Sequence, residues 1–362
     1  MFPTAIALGL ALAAAASSTA ASASEALGWA LHTGKVPLSP GTVLEKNLFW
    51  SDTYSDLRSE YYVEYVPTPD VTPTVAYGAH VLTRATLSEM AAALEAQGNR
   101  VVSGVNGDWY VLSTGAPTGL VVTGGVVRAT PDYDNAWAVG FRSDGSAFLA
   151  QPQLSLSVTA GEQVWRLTGG VNKIRKVTAA DGSGGLTLLT ADFAADTQNT
   201  QPGVDVLLIP VEDGTGLSSL EPRIGRQTQY VVEQVLESTG SIPIPQGRAV
   251  LTLNAADNPE LLESLRALQP GDPLTLTVDT PASRWTEAAQ ALGGTYRIAA
   301  GGQVCPGLPA ERTAWTAVGI RADGSVLFYT VDGRRSGHSV GATLTQVALR
   351  LIELGCVDAV GM

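Results

Sequence analysis

Two aspartates stand out by their setting. Asp108 lies in the run Val105-Asn106-Gly107-Asp108-Trp109-Tyr110 behind an apolar stretch, and Asp332 lies in Val331-Asp332-Gly333-Arg334-Arg335. Each follows a segment expected to be a strand, and strand ends are where sheet folds commonly set polar groups into a cleft. Two carboxyls facing one cleft are what glycosidic cleavage needs: one moves a proton, the other stabilises or traps the oxocarbenium centre. Arg312, Arg334 and Arg335 offer planar guanidinium forks for an anionic group such as phosphate. Ordinary Asp-Gly and Asn-Gly turns would place the same residues without any chemistry, so the pattern alone leaves both readings open.

Other templates fare worse. Gly337-His338-Ser339-Val340-Gly341 has the spacing of a nucleophile elbow. An elbow turns directly from strand to helix, whereas here the strand is expected to end near Val331 and the helix to start only at Thr343. No histidine follows Ser339 to complete a Ser…Asp/Glu…His order, so a turn and helix entry explain the glycines. No phosphate-binding or dinucleotide glycine motif, H-E-x-x-H or C-x-x-C occurs. His32, His80 and His338 are scattered, no metal-ligand set is formed, and no cofactor is expected. Cys305 and Cys356 could pair in an exported protein or remain buried thiols.

The chain has 362 residues, 45% of them hydrophobic and 15% charged, which suits a globular protein of two or three domains. Lys+Arg 22 against Asp+Glu 34 gives a net charge of −12, so a phosphate-tracking surface would oppose the field of the whole molecule and nucleic acid is not an expected partner. Gly 39 and Pro 20 indicate many turns and short strands. The uncharged Ala/Leu-rich stretch from Ala5 to Ala16, followed by Ala21-Ser22-Ala23, reads as a secretory signal cleaved before Ser24, although no Lys or Arg precedes Lys35. The stretch is too short for a membrane span, and export without stable membrane insertion is expected.

The elements that would position the aspartates follow from local signals. Residues 24–47 lack periodicity and read as a lead-in arm, with the first packed unit starting near Leu48. Tyr61–Val66 is expected as a strand ended by Pro67. Thr86-Leu87-Ser88-Glu89 is a capping box for a helix to Gln97 that Gly98 stops, and Val101–Val105 reads as the buried strand behind Asp108. Between residues 152 and 280 come short β-rich pieces, among them Leu154–Val158, Leu186–Leu189, Val204–Ile209 and Ala249–Leu253, as in an inserted barrel or sandwich. Ala317–Val331 reads as a hairpin turning at Asp323-Gly324, and Thr343 to Gln346 cap a helix to Leu354 with Gly355 as its stop. Ala138–Ser146 nearly repeats Ala317–Ser325, through shared turn chemistry or a duplicated unit.

Several of these motifs, in order, resemble the phosphodiester glycosidase family. Val105-Asn106-Gly107-Asp108-Trp109-Tyr110 and Thr114-Gly115-Ala116-Pro117-Thr118-Gly119 are similar to its NGDF/Y…tG-x-P-x-G signature. Arg312-Thr313-Ala314, Asp323-Gly324, Val331-Asp332-Gly333-Arg334, Ser339-Val340-Gly341-Ala342-Thr343-Leu344 and Leu354 to Ala359 follow the order of its second half. The resemblance covers residues 48–150 and 290–362 and implies hydrolysis between a sugar's anomeric carbon and a phosphate. It implies that Asp108 and Asp332 are the carboxylate pair, with nucleophile and acid unassigned, and that Arg312 and Arg334 hold the phosphate. Asn106, Gly107, Gly119, Thr313, Ser339 and Gly341 would complete the substrate site. No chemistry is implied for the β-rich middle. Two departures stand out: Trp315 occupies the position of a second family arginine, and the family's following D-G-G-G-S-T segment is not in this sequence.

The expectation is therefore an α+β fold, a mixed sheet with packed helices and a cleft at its strand ends. The expected organisation is a signal at residues 1–23, an arm at 24–47, a discontinuous and C-terminally incomplete glycosidase-like unit at 48–151 and 281–362, whose missing segment would lower activity, and an insert at 152–280. The expected function is an exported hydrolase acting on a carbohydrate phosphodiester of a cell-surface or extracellular glycan. The alternative is a non-catalytic cell-wall glycan-binding or scaffold protein. The oligomeric state is left open.

Overall fold

The computed structural model describes residues 24–176, 185–212 and 221–362, so the expected signal segment lies outside the described residues. The fold is β-rich, 44% strand and 10% helix, rather than α+β. Short turns reverse the chain at nearly every step, and short turns make antiparallel neighbours. The motif-bearing sheet is accordingly antiparallel throughout, where a mixed sheet was expected.

That motif sheet has eight strands in the order Trp29–Ser39, Thr42–Ser51, Asp56–Tyr65, Val326–Val331, Trp315–Arg321, Cys356–Gly361, Tyr296–Ala300 and Gln303–Val304. Residues 24–47 are thus no loose arm: they supply the edge strand and most of its neighbour. Helix α1 spans Leu87–Ala96, α2 Pro259–Arg266 and α3 Leu344–Glu353. Thr343 and Gln346 cap α3 reciprocally, and Gly355, with φ +92°, ends it. Its buried Leu344, Val347, Ala348 and Leu351 pack on Phe49, Ile298, Ala317, Leu327, Tyr329 and Ala359 of the sheet. Each such leucine contributes roughly 1.5–3 kcal/mol.

A five-stranded middle sheet runs Val126–Ala129, Val121–Thr123, Gln290–Gly294, Trp137–Phe141 and Ala147–Ala150. Alternation along Trp137–Phe141 sends Val139 and Phe141 towards Val318, Val326 and Val360 of the motif sheet and Ala138 to the other side. On that other side lies the far sheet, eight strands drawn from residues 155–279, with the Phe148 ring edge-on to Trp285 at 4.7 Å. Buried on both faces, the middle sheet needs the near-continuous apolar run Trp-Ala-Val-Gly-Phe. No helix among the described residues is long and apolar enough to cross a membrane.

Two local expectations change. Val101–Val105 forms neither helix nor strand and joins no sheet, and α1, though capped at Thr86 as expected, buries none of its residues. The helix covers this segment instead, and a Cβ on Gly104 would meet Leu87 Cδ1 at 3.1 Å. An apolar run becomes a strand only where a neighbour supplies ladder partners, and none is present here.

Candidate active site

Asp108 sits against Gly293 of the central strand Gln290–Gly294 of the middle sheet, on the loop that follows Val101–Val105. Its Oδ2 fills the space that side chains on Gly119 and Gly293 would occupy, so both glycines are required by close approach. Gly293 N–H donates to Leu120 O at 2.8 Å, which clamps the two backbones around the carboxylate. Asp108 Oδ1 is buried without a hydrogen-bond partner. Burial pushes the Asp108 carboxyl up to about 6, against the Trp109 amide, Lys173 and the Thr295 hydroxyl, which favour its ionised form; Asp132 adds to the rise. A carboxyl poised near neutrality can take or give a proton at ordinary pH.

The loop is tied to the motif sheet through Asn106, whose Oδ1 accepts from Thr316 Oγ1 at 2.8 Å. Gly107 packs on Leu292, with no room for a Cβ. Trp109, Tyr110 and Tyr133 are exposed, at 54%, 44% and 68%, beside Asp108 and Asp132. Thr118 links the two flanks: its N–H and its hydroxyl each donate to Trp109 O at 3.0 Å, and its carbonyl accepts from Asp132 N–H at 2.8 Å.

Asp332 belongs to a second cluster at the end of strand Val326–Val331. Its Oδ2 lies 2.9 Å from His338 Nε2, and its N–H donates to Ser59 O at 3.0 Å. Arg312 donates to Val340 O at 2.6 Å and lies 4.4 Å over the Tyr54 ring, while Arg334 is exposed with a left-handed φ of +62°. Among the described residues no hydrogen bond or ion pair joins Asp108 to Asp332. Thr316 pairs with Thr330 across the ladder, two residues before Asp332, which puts both clusters on connected strands.

Ser339 is fully buried; its Oγ donates to Asp332 O at 2.6 Å and accepts from Ser59 N–H at 3.0 Å. It ties a loop rather than presenting a nucleophile or an open contact to substrate. Gly341, at φ +84°, lies against Thr313, which is buried and exchanges backbone hydrogen bonds with Ala342. Trp315 is buried beneath α3, its indole N–H donating to Ala342 O at 3.0 Å. Cys305 and Cys356 are free thiols, and burial pushes Cys356 up to about 12.

Sequence reasoning missed Gly293, Thr295, Thr316, Asp132 and Lys173. Gly293-Gly294 inside a strand pattern was a usable signal, since strand glycines mark close backbone approach. Lys173 carried none.

Comparisons with known proteins agree with part of the sequence resemblance. No curated protein matches the chain. A hypothetical protein from Synechocystis has a TM-score of 0.66 at 16% identity, over 91% of this chain and 58% of its own. The chain thus spans little more than half the length of that protein. A Burkholderia pseudomallei protein assigned as exported has a TM-score of 0.62 at 16% identity, over 85% and 68%. At these identities the likeness is one of fold. A zebrafish N-acetylglucosamine-1-phosphodiester alpha-N-acetylglucosaminidase catalytic domain gives 0.40 at 11% identity, over 91% and 74%. The sequence model of the phosphodiester glycosidase family matches residues 224–362, and that stretch, with Arg312, Asp332 and α3 inside it, is where this chain and the family meet.

Proposed function

We propose that this protein is an exported hydrolase that cleaves the bond between a sugar's anomeric carbon and a phosphodiester oxygen in a cell-surface or extracellular glycan. The observation that carries the reading is the Asp108 carboxyl, held in a glycine-walled slot and pushed up to about 6. A phosphodiester leaving group departs with little protonation, so charge neutralisation and stabilisation of the oxocarbenium centre matter most. Asp108 serves in its ionised form at the anomeric carbon. Arg312 and Arg334 neutralise the phosphate, and Asp332, braced by His338, is the second carboxylate. The exposed Trp109, Tyr110 and Tyr133 give the sugar ring faces to stack on, and Asn106 a hydroxyl partner. Gly107 lies on the same loop, while the buried Gly119 walls the carboxylate and the buried Thr313 and Gly341 brace the loop after Asp332 rather than meet substrate. Water adds to the sugar as the C–O bond breaks, and the phosphate monoester leaves.

The test uses glucose 1-(4-nitrophenyl phosphate) with and without excess alkaline phosphatase: colour that depends on the phosphatase reports removal of the sugar, whereas colour without it would report cleavage of the aryl phosphate bond. Turnover by the wild type and a loss of about 10³-fold or more in D108N are expected. The exposed aromatic side chains favour one other reading, a glycan-binding protein without turnover. Retained binding of a glycan phosphodiester with no hydrolysis by the wild type would establish that alternative.

A further inference from the structure

Lys173 lies within the β-rich stretch between residues 152 and 280, for which no part in the chemistry was expected. It follows strand Gly170–Val171 at the edge of the far sheet. Its side chain is only 9% exposed, with Nζ 2.9 Å from Asp132 Oδ1 and donating to Pro117 O at 2.5 Å. The aim of this side chain is fixed by the residue before it. Asn172, fully buried in the left-handed region at φ +53°, donates to Arg128 O at 2.8 Å and accepts from Thr190 N–H at 2.7 Å. Asp132 is in turn held by Thr118, which is bonded to Trp109, the neighbour of Asp108. A ring of contacts therefore runs from the far sheet to the candidate carboxylate.

A buried ammonium carries a desolvation penalty, which an apolar side chain filling the same space would avoid. Its charge must act on something inside. The charged groups facing Lys173 are Asp132, Asp108 and Lys176. Those facing Asp108 are Lys173 and Asp132, and Asp108 Oδ1 is the buried oxygen left without a partner. We propose that Lys173, braced by Asp132, is a positioning residue that holds the charge and orientation of Asp108 from behind the cleft. This rests on the hydrolytic reading of Asp108 given above. Without Lys173 the Asp108 carboxyl keeps the Trp109 amide and the Thr295 hydroxyl, but its ionised form loses its counter-charge while Asp132 still opposes it.

The experiment follows Asp108 by side-chain carboxyl ¹³C NMR across pH 3–9 in the full chain, with D108N giving the assignment. Wild type, K173M, K173R and D132N are compared, with circular dichroism to establish folding. The Asp108 midpoint is expected to rise by about one pH unit or more in K173M, to stay near the wild-type value in K173R, and to fall in D132N. A folded K173M with an unchanged midpoint overturns the proposal. Should K173M not fold, an unchanged midpoint in D132N overturns it equally. With the glucosyl phosphodiester as probe, K173M should lose about 10–100-fold in kcat with KM little changed, and K173R should recover most of it. A wild type with no turnover but the expected NMR shifts would refute the hydrolytic reading while leaving the coupling of Lys173 to Asp108 established.

Discussion

Thr316 Oγ1 donates to Asn106 Oδ1 at 2.8 Å, joining residues 210 positions apart in sequence. Through this bond the motif sheet steadies the loop that carries Asp108. T316V keeps the shape and removes the donor, leaving an amide oxygen that solvent can reach. A stability loss of about 1 kcal/mol is expected by denaturant titration, with a larger proportional fall in kcat, because the loop geometry loosens.

The pH dependence of stability has a fixed sign. The folded Asp108 carboxyl titrates at about 6 rather than the ordinary 3.8, so the native state binds the proton more tightly than the unfolded chain does. Its contribution to stability is fully present below 3.8 and is lost as pH rises through about 6. D108N removes that loss. Its melting temperature should match the wild type near pH 3.5 and exceed it at pH 8, by an amount equivalent to about 2–3 kcal/mol. A difference that does not change with pH would refute the account.

Catalysis should titrate with the same group. Since the leaving phosphodiester needs little protonation, the ionised carboxylate is the useful form, and kcat/KM for the glucosyl phosphodiester should climb through about 6 to a plateau. A limb falling through that pH would assign Asp108 the opposite role, that of proton donor.

The glycine walls give a steric test. In G119A the new methyl meets Asp108 Oδ2 and, at 2.7 Å, Gly293 Cα. Neither backbone can retreat freely, so a loss of about 1–3 kcal/mol and displacement of the carboxylate are expected. Thermal melting and turnover should fall together, whereas G240A, where a Cβ meets only Asn199 O at 3.7 Å, should leave both intact.

Ser339 separates a structural hydroxyl from a nucleophile. S339A removes the partner of Ser59 N–H and the donor to Asp332 O, and should cost about 1–3 kcal/mol in denaturant titration. Turnover should persist at temperatures where the variant is folded, and a fluorophosphonate should not label the wild type.

What the sequence made legible was local. The capping boxes at Thr86 and Thr343 and the Asp-Gly hairpins depend on neighbours a few residues away, and they form as read. The two hairpins even share their bonds: Ser146 N–H reaches Asp144 and Ser325 N–H reaches Asp323, both at 2.9 Å, in different sheets. The strand at Trp29–Ser39 was missed because an exposed edge carries His32, Thr33 and Lys35 and so hides its alternation. Val101–Val105 was misread because strand formation depends on a partner that composition does not reveal. Lys173 was out of reach because its meaning lies in Asp132 and Asp108, brought to it only by the stacking of the far and middle sheets.

The motif sheet pairs Asp56–Tyr65 with Val326–Val331, strands separated by some 260 residues. At about 5–20 residues per second, a ribosome takes on the order of 15–50 s between making the first and the second. For that interval the three N-terminal strands can form a meander, but one edge of it, bearing Tyr62 and Tyr65, stays bare. Burial of Arg58 and Glu60 against α3 waits until Gln346 and Arg350, nearly 290 residues later, have been made. Chain growth therefore sets the earliest moment at which this strand pair can form, and until then the bare edge of Asp56–Tyr65 is open to pairing with other chains.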